Sequence, residues 1–221
     1  MALLVKICGV NASDSADAAV RAGADMVGLV FHPKSPRHLS FEAARSLADH
    51  LRGRVQLVTL IADADDEMIA GALAAVRPDF LQLHGRETPE RAAALKSRFG
   101  VQLIKAFPIA SAADFAPVAA FTDIADLFLF DAKAPEGLRP GGHGVAFDWQ
   151  LLKGRAFPRP WLLAGGLSPA NVGRAVILSG APGVDVSSGV ETAPGVKDTH
   201  LIAEFLSAAR NPKLDLEEAR S

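Results

Sequence analysis

Eight short apolar runs separated by stretches that are mostly helical in periodicity constrain this 221-residue chain more than any other feature. The runs cover residues 3–8, 26–31, 55–61, 80–84, 101–107, 127–131, 161–164 and 184–187. They are brief and partly β-branched, as buried strands are. The clearest helical stretches are 13–22, 41–51, 67–76, 89–99, 112–119, 169–178 and 200–209. Ser40, Thr88 and Ser168 stand where N-caps belong, the last two directly before a proline whose fixed φ suits a first helical turn. Gly23 and Gly180 stand where helices should stop. Strands alternating with helices imply a parallel sheet covered by helices. Eight is the number that closes a (β/α)₈ barrel; a doubly wound open sheet is the competing arrangement, and counting does not separate them. No linker or low-complexity block divides the chain, so one domain is expected over residues 1–210, with a polar tail at 211–221 that should fray.

Composition narrows the function classes. Hydrophobic residues make up 49% and charged ones 22%, ordinary for a soluble globular protein. A formal charge of -2 offers no basic field for nucleic acid. The lone cysteine, Cys8, precludes an internal disulfide framework and fits a reducing compartment. Met-Ala-Leu-Leu-Val-Lys at the start lacks a basic lead into a signal core, and no apolar run reaches the ~18 residues that span a bilayer. A soluble, cytoplasmic chain is the expectation.

Chemistry concentrates where the strands end. Cys8-Gly9, the segment from His32 to Arg37, His84-Gly85, Asp131, Gly165-Gly166 and the segment from Asp185 to Gly189 all follow a strand. In a barrel these ends converge on one face. The glycines at 165, 166 and 189, with Ser188, lie after strands seven and eight, the usual phosphate site of such barrels. Glycine permits close backbone approach, and exposed amides attract the anion. Two clusters at paired positions favour phosphate binding over simple turns. Asp131 ends the apolar run Leu127-Phe128-Leu129-Phe130. Partial burial there would disfavour its ionised form and suit it to donate a proton; the competing role is loop capping. Cys8 needs positive neighbours to serve as a thiolate base. Lys6 shares its face of the strand and could supply that charge, or could pair with a carboxylate inside the barrel.

Arg37 lies in a loop stiffened by Pro33 and Pro36, and its planar fork suits a ligand carboxylate. His84 could hydrogen-bond ligand or brace a strand end, and these stand about even. Asp148 is expected to cap a short helix, and His143, in a Gly-Pro loop, has no assigned role. The histidines lack metal-ligand spacing, and neither a GxGxxG after the first strand nor a Walker A motif occurs, so no metal or cofactor is expected. The phosphate therefore belongs to a small-molecule substrate.

These motifs, taken together, resemble the phosphoribosylanthranilate isomerases of tryptophan biosynthesis. The matching pieces are Lys6-Ile7-Cys8-Gly9, Gly23-Ala24-Asp25 with Phe31 to Arg37, Gln82-Leu83-His84-Gly85, and Phe130-Asp131. Gly141-Gly142-His143-Gly144 with Phe147-Asp148-Trp149, Ala164-Gly165-Gly166-Leu167, and the stretch from Asp185 to Glu191 continue them in the family's order. The resemblance runs from residue 6 to about 198. It implies a single-domain (β/α)₈ TIM barrel and an Amadori rearrangement of N-(5-phosphoribosyl)anthranilate. By similarity Asp131 is the general acid and Cys8 the general base. Arg37 would hold the anthranilate carboxylate, Asp185 would meet sugar hydroxyls, and the amides around Gly165, Gly166, Ser188 and Gly189 would hold the phosphate. The resemblance leaves monomer and homodimer both open. A histidine-pathway isomerase would resemble a carboxylate at both acid and base positions, which Cys8 does not match. Indole-glycerol-phosphate synthase would need a lysine and glutamate pattern that Lys105 alone does not complete. A non-catalytic phosphate-binding barrel would not need both Cys8 and Asp131.

Overall fold

The computed structural model describes residues 2–133 and 146–212. Eight parallel strands close into a barrel: β1 (Leu4–Cys8), β2 (Met26–Phe31), β3 (Gln56–Ile61), β4 (Phe80–Leu83), β5 (Gln102–Ile109), β6 (Leu127–Ala132), β7 (Trp161–Leu163) and β8 (Gly183–Val186). The ladder closes where Lys6 of β1 stands level with Asp185 of β8. Helices α1 (Ser13–Arg21), α2 (Phe41–Leu51), α3 (Asp66–Val76), α4 (Pro89–Phe99), α5 (Val172–Ser179) and α6 (Thr199–Arg210) connect and surround the strands. The closed barrel excludes the open sheet.

Alternation along each strand divides the core into two layers. Inward-facing Met26, Val58, Phe80, Ile104, Leu127, Leu129 and Leu162 fill the barrel floor, and Cys8, Val30 and Leu60 cluster separately. Outward-facing Ile7, Leu29, Leu81 and Phe128 pack under the helices. An aromatic group reinforces the outer layer around β6, with the Phe130 and Phe157 rings 4.5 Å apart. Buried Lys6, Gln82 and Asp185 break the apolar interior, and each lies one step below a rim residue that carries chemistry.

Helices 41–51 and 89–99 form with the expected bounds because their caps work. Ser40 accepts from the Ala43 N–H and Thr88 from the Arg91 N–H. Gly180 closes α5 at φ 69°, and Asp148 caps a short 3₁₀ turn, Trp149–Leu152. Two expectations need correction. The helix expected from residue 169 begins only at Val172, because Asn171 holds the preceding segment as a turn: its Oδ1 accepts from the Ser168 N–H and its Nδ2 donates to the Gly166 carbonyl. Ser168 is therefore no cap. The stretch expected as an α-helix over 112–119 is a 3₁₀ helix, Ala112–Phe121, interrupted by Pro117, which has no N–H to give an α-helical ladder. A small hairpin, β9 (Glu191–Ala193) with β10 (Val196–Lys197), was not foreseen. His143 and the Gly141-Gly142-His143-Gly144 motif lie outside the described residues, as do tail residues 213–221.

Candidate active site

β1 and β8 bring three of the expected residues' chemistry together. Lys6 Nζ donates to Asp185 Oδ1 at 2.8 Å; Lys6 is fully enclosed and Asp185 keeps 8% of its side chain exposed. Two residues along β1, on the same face, stands Cys8, with only 4% of its surface exposed. The neighbouring strand makes room for it with a glycine: a Cβ on Gly28 would sit 2.9 Å from the sulfur. Burial pushes the Cys8 thiol up; the Lys6 ammonium draws it back and the Asp185 carboxylate adds to the rise, leaving it above its ordinary value. Burial works against the Lys6 charge, but Asp185 and Cys8 favour it, so Lys6 ends above its usual value. Lys6 thus meets both open possibilities: it pairs with a carboxylate and lies against the thiol.

Arg37 is buried rather than solvated, with 6% of its surface exposed. The loop after β2 lays its stem on Gly9, where a Cβ would lie 2.3 Å from Arg37 Cδ. Its fork is gripped by Glu191: Nε donates to Oε1 at 2.7 Å and Nη2 to Oε2 at 2.6 Å. Lys197 closes the group, donating to Glu191 Oε1 at 2.6 Å and to the Ser187 carbonyl at 2.9 Å. Burial opposes the charge on Glu191, yet Arg37 and Lys197 hold its carboxyl below the usual range. Burial holds Lys197 below the ordinary lysine value despite Glu191.

Across the barrel mouth, His84 and Asp131 meet. His84 Nε2 lies 3.2 Å from Asp131 Oδ2, and Asp131 Oδ1 accepts from the Ala132 N–H at 2.8 Å. Gln82 Nε2 lies 2.9 Å from His84 Nδ1, so the strand residue below holds the ring in place. Below the loop after β4, Glu87 accepts from the Gly85 N–H and pairs with buried Lys105 at 3.1 Å, bracing the position of His84.

The glycine loops after β7 and β8 pack directly on their neighbours. Gly165 and Gly166 adopt φ of 87° and 64°, the left-handed region that favours glycine. A Cβ on Gly165 would lie 2.4 Å from the Ala132 nitrogen, so this loop rests against the residue next to Asp131. A Cβ on Gly189 would lie 1.8 Å from the Leu167 carbonyl oxygen, so the loop after β8 rests in turn on the loop after β7. Ser188 opens the 3₁₀ turn Ser188–Val190 beside it, partly exposed at the rim.

Cys8, Asp185 and Arg37 therefore share one buried cluster with Lys6, Glu191 and Lys197, while His84 and Asp131 form a second. Glu191 and Lys197 escaped the sequence reading. Glu191 ends a motif singled out for its glycines, and nothing local distinguishes Lys197 from a solvated lysine. Among the described residues no group of three or more His, Cys, Asp or Glu side chains could hold a metal ion, and no helix is long and apolar enough to cross a membrane.

The family model described as N-(5'-phosphoribosyl)anthranilate (PRA) isomerase matches residues 5–208. N-(5'-phosphoribosyl)anthranilate isomerase of Rhodopseudomonas palustris strain HaA2 is 51% identical over 211 residues, covering 95% of this chain and 97% of that protein. The Nitrobacter winogradskyi enzyme of the same name is 50% identical over 222 residues, covering 100% of this chain and 99% of its own. The crystal structure of phosphoribosylanthranilate isomerase from Thermotoga maritima superposes with a TM-score of 0.85 at 35% identity, over 95% of this chain and 99% of that one. A phosphoribosylanthranilate isomerase in complex with reduced 1-(o-carboxyphenylamino)-1-deoxyribulose 5-phosphate superposes with a TM-score of 0.80 at 33% identity, over 95% of this chain and 99% of its own. Matched along nearly its whole length by sequence and by fold, the chain belongs to the N-(5'-phosphoribosyl)anthranilate isomerase family.

Proposed function

We propose that this chain isomerises N-(5-phosphoribosyl)anthranilate to 1-(2-carboxyphenylamino)-1-deoxyribulose 5-phosphate in tryptophan biosynthesis. The observation that carries the reading is the pair of chemically different groups on one barrel rim. A carboxyl backed by His84 ends β6, and a thiol beside a buried ammonium ends β1. Asp131 gives its proton to the furanose ring oxygen as the bond from that oxygen to C1 breaks, and the anilino nitrogen's lone pair forms the C1–N double bond. The Cys8 thiolate then removes the proton from C2, and those electrons become the C1–C2 double bond of an enolamine. Proton movement from the C2 hydroxyl to C1 gives the ketone. No redox partner is needed, because the aldose carbon is reduced as its neighbour is oxidised.

Arg37 holds the anthranilate carboxylate, Asp185 meets sugar hydroxyls while its Oδ1 stays with Lys6, and His84 touches the substrate from beside the acid. Backbone amides around Gly165, Gly166, Ser188 and Gly189 hold the phosphate. Anchoring both ends fixes C1 and C2 between acid and base, where orientation lowers the barrier. The working unit is the barrel of residues 1–210, with the polar segment 211–221 outside it. It acts on a small phosphorylated substrate in the cytoplasm, as a monomer or homodimer, without cofactor, nucleic acid or membrane.

The test is incubation with freshly made phosphoribosylanthranilate, following loss of its fluorescence. We expect rapid decay with the wild-type chain; decay no faster than the uncatalysed background would overturn the reading.

A further inference from the structure

Arg37 enters the site already paired with Glu191. A guanidinium gripped bidentately by a carboxylate is neutral as a unit and has little pull on another anion. The third member changes that balance. Lys197, only 1% exposed in its side chain, binds the same Glu191 carboxylate and gives the buried group two positive charges against one negative. Of the other groups in the cluster, Lys6 and Asp185 cancel each other, and Cys8 adds a negative charge only in its minor thiolate form. Glu191 also occupies the Nε–Nη2 side of the fork, leaving the Nη1–Nη2 side for a second carboxylate.

The hairpin carrying these residues is seated for the purpose. Gly195 at its turn has φ 84°, and a Cβ there would lie 2.5 Å from the Pro36 carbonyl oxygen, so the hairpin rests directly on the loop that bears Arg37. Asn11 Nδ2 donates to the Gly195 carbonyl at 2.9 Å and ties the hairpin to the segment after β1.

We propose that Lys197 and Glu191 are positioning residues for the substrate's carboxylate: Glu191 sets the angle of the Arg37 fork, and Lys197 supplies the surplus positive charge that lets an already paired arginine hold a second carboxylate. This rests on the assignment of Arg37 to the anthranilate end. The chemistry that would recognise such a site is an aromatic carboxylate attached to a phosphorylated sugar.

The experiment compares phosphoribosylanthranilate with phosphoribosylaniline, which lacks only the carboxylate, in four chains. Lys197→Gln retains an amide donor on a side chain one bond shorter and removes the charge. It is expected to raise KM for the anthranilate substrate about tenfold or more while kcat changes little, and to leave KM for the aniline substrate unchanged. Lys197→Arg keeps the charge and should retain a KM near that of the wild type. Glu191→Gln combined with Lys197→Gln restores the surplus charge and should recover much of the lost affinity. Circular dichroism verifies folding of each variant, and Lys197→Arg carries the test if the neutral variant fails to fold. Equal KM changes for both substrates, or no recovery in the double variant, would overturn the proposal. If the wild type discriminates between the two substrates through kcat alone, the Arg37 assignment itself fails, whatever Lys197 does.

Discussion

As the proposed base, Cys8 would have to lose its proton before taking one from a sugar carbon, and burial resists that loss. Its thiolate fraction is therefore small near neutrality and grows with pH. The reacting form needs Asp131 protonated and Cys8 ionised together, so we expect kcat/KM of the wild type to level off at intermediate pH and fall on both sides. In Asp131→Asn, which has no acid left to titrate, the residual rate should climb with pH toward the thiol's raised value, and a flat profile in that variant would remove Cys8 as base. The sign for stability is opposite. A folded-state value above the unfolded one means the protonated thiol's contribution is complete below the unfolded value and is lost as pH rises through the folded one. Cys8→Ala should therefore lose less Tm than the wild type in that alkaline window. Cys8→Ala and Asp131→Asn should each lower kcat by about 10²–10⁴-fold while sparing affinity for the reduced product analogue, measured by calorimetry. Beneath the thiol, Lys6→Met leaves Asp185 charged and buried without its partner. That should cost about 3–5 kcal/mol in urea unfolding, and Lys6→Met with Asp185→Asn should cost less than the single change.

Elements were legible where a local signal decides them. Residues 41–51 and 89–99 carry their own caps, and 26–31 is apolar throughout, so these elements stand with the bounds read from sequence. The helix after β7 was misplaced because Pro169 reads locally as a first turn, whereas Asn171 decides the matter by bonding back to Gly166 and Ser168. The hairpin of β9 and β10 stayed hidden because its strands are two and three residues long and its partners, Pro36 and Asn11, are far away in sequence. For the same reason the proposed site residues at strand ends stand out in the chain while Glu191 and Lys197 do not. The glycine loops also prove to be packing devices: Gly189→Ala would force a methyl group into the Leu167 carbonyl. We expect it to cost about 1–3 kcal/mol by thermal denaturation and to raise KM; an unchanged Tm would show that the loops part freely.

At the scale of the molecule, closure of the barrel is what makes a site from residues so far apart in the chain. It sets β1 beside β8, so that Lys6 and Asp185 pair across most of the sequence. It also brings the end of β6 and the loops after β7 and β8 into contact at Gly165 and Gly189. The floor below is apolar and packed, and the charged groups sit above it in two clusters on the same rim. The central claim is that those clusters face one sugar from two sides. A crystal structure of this chain with reduced 1-(o-carboxyphenylamino)-1-deoxyribulose 5-phosphate tests it most directly. The sulfur of Cys8 should lie about 3–3.5 Å from C2 and the Asp131 carboxylate within hydrogen-bond reach of the oxygen that closed the ring, with the phosphate at the loops after β7 and β8. A ligand that reaches only one of the two groups, or lies with its phosphate at Arg37, would contradict the claim.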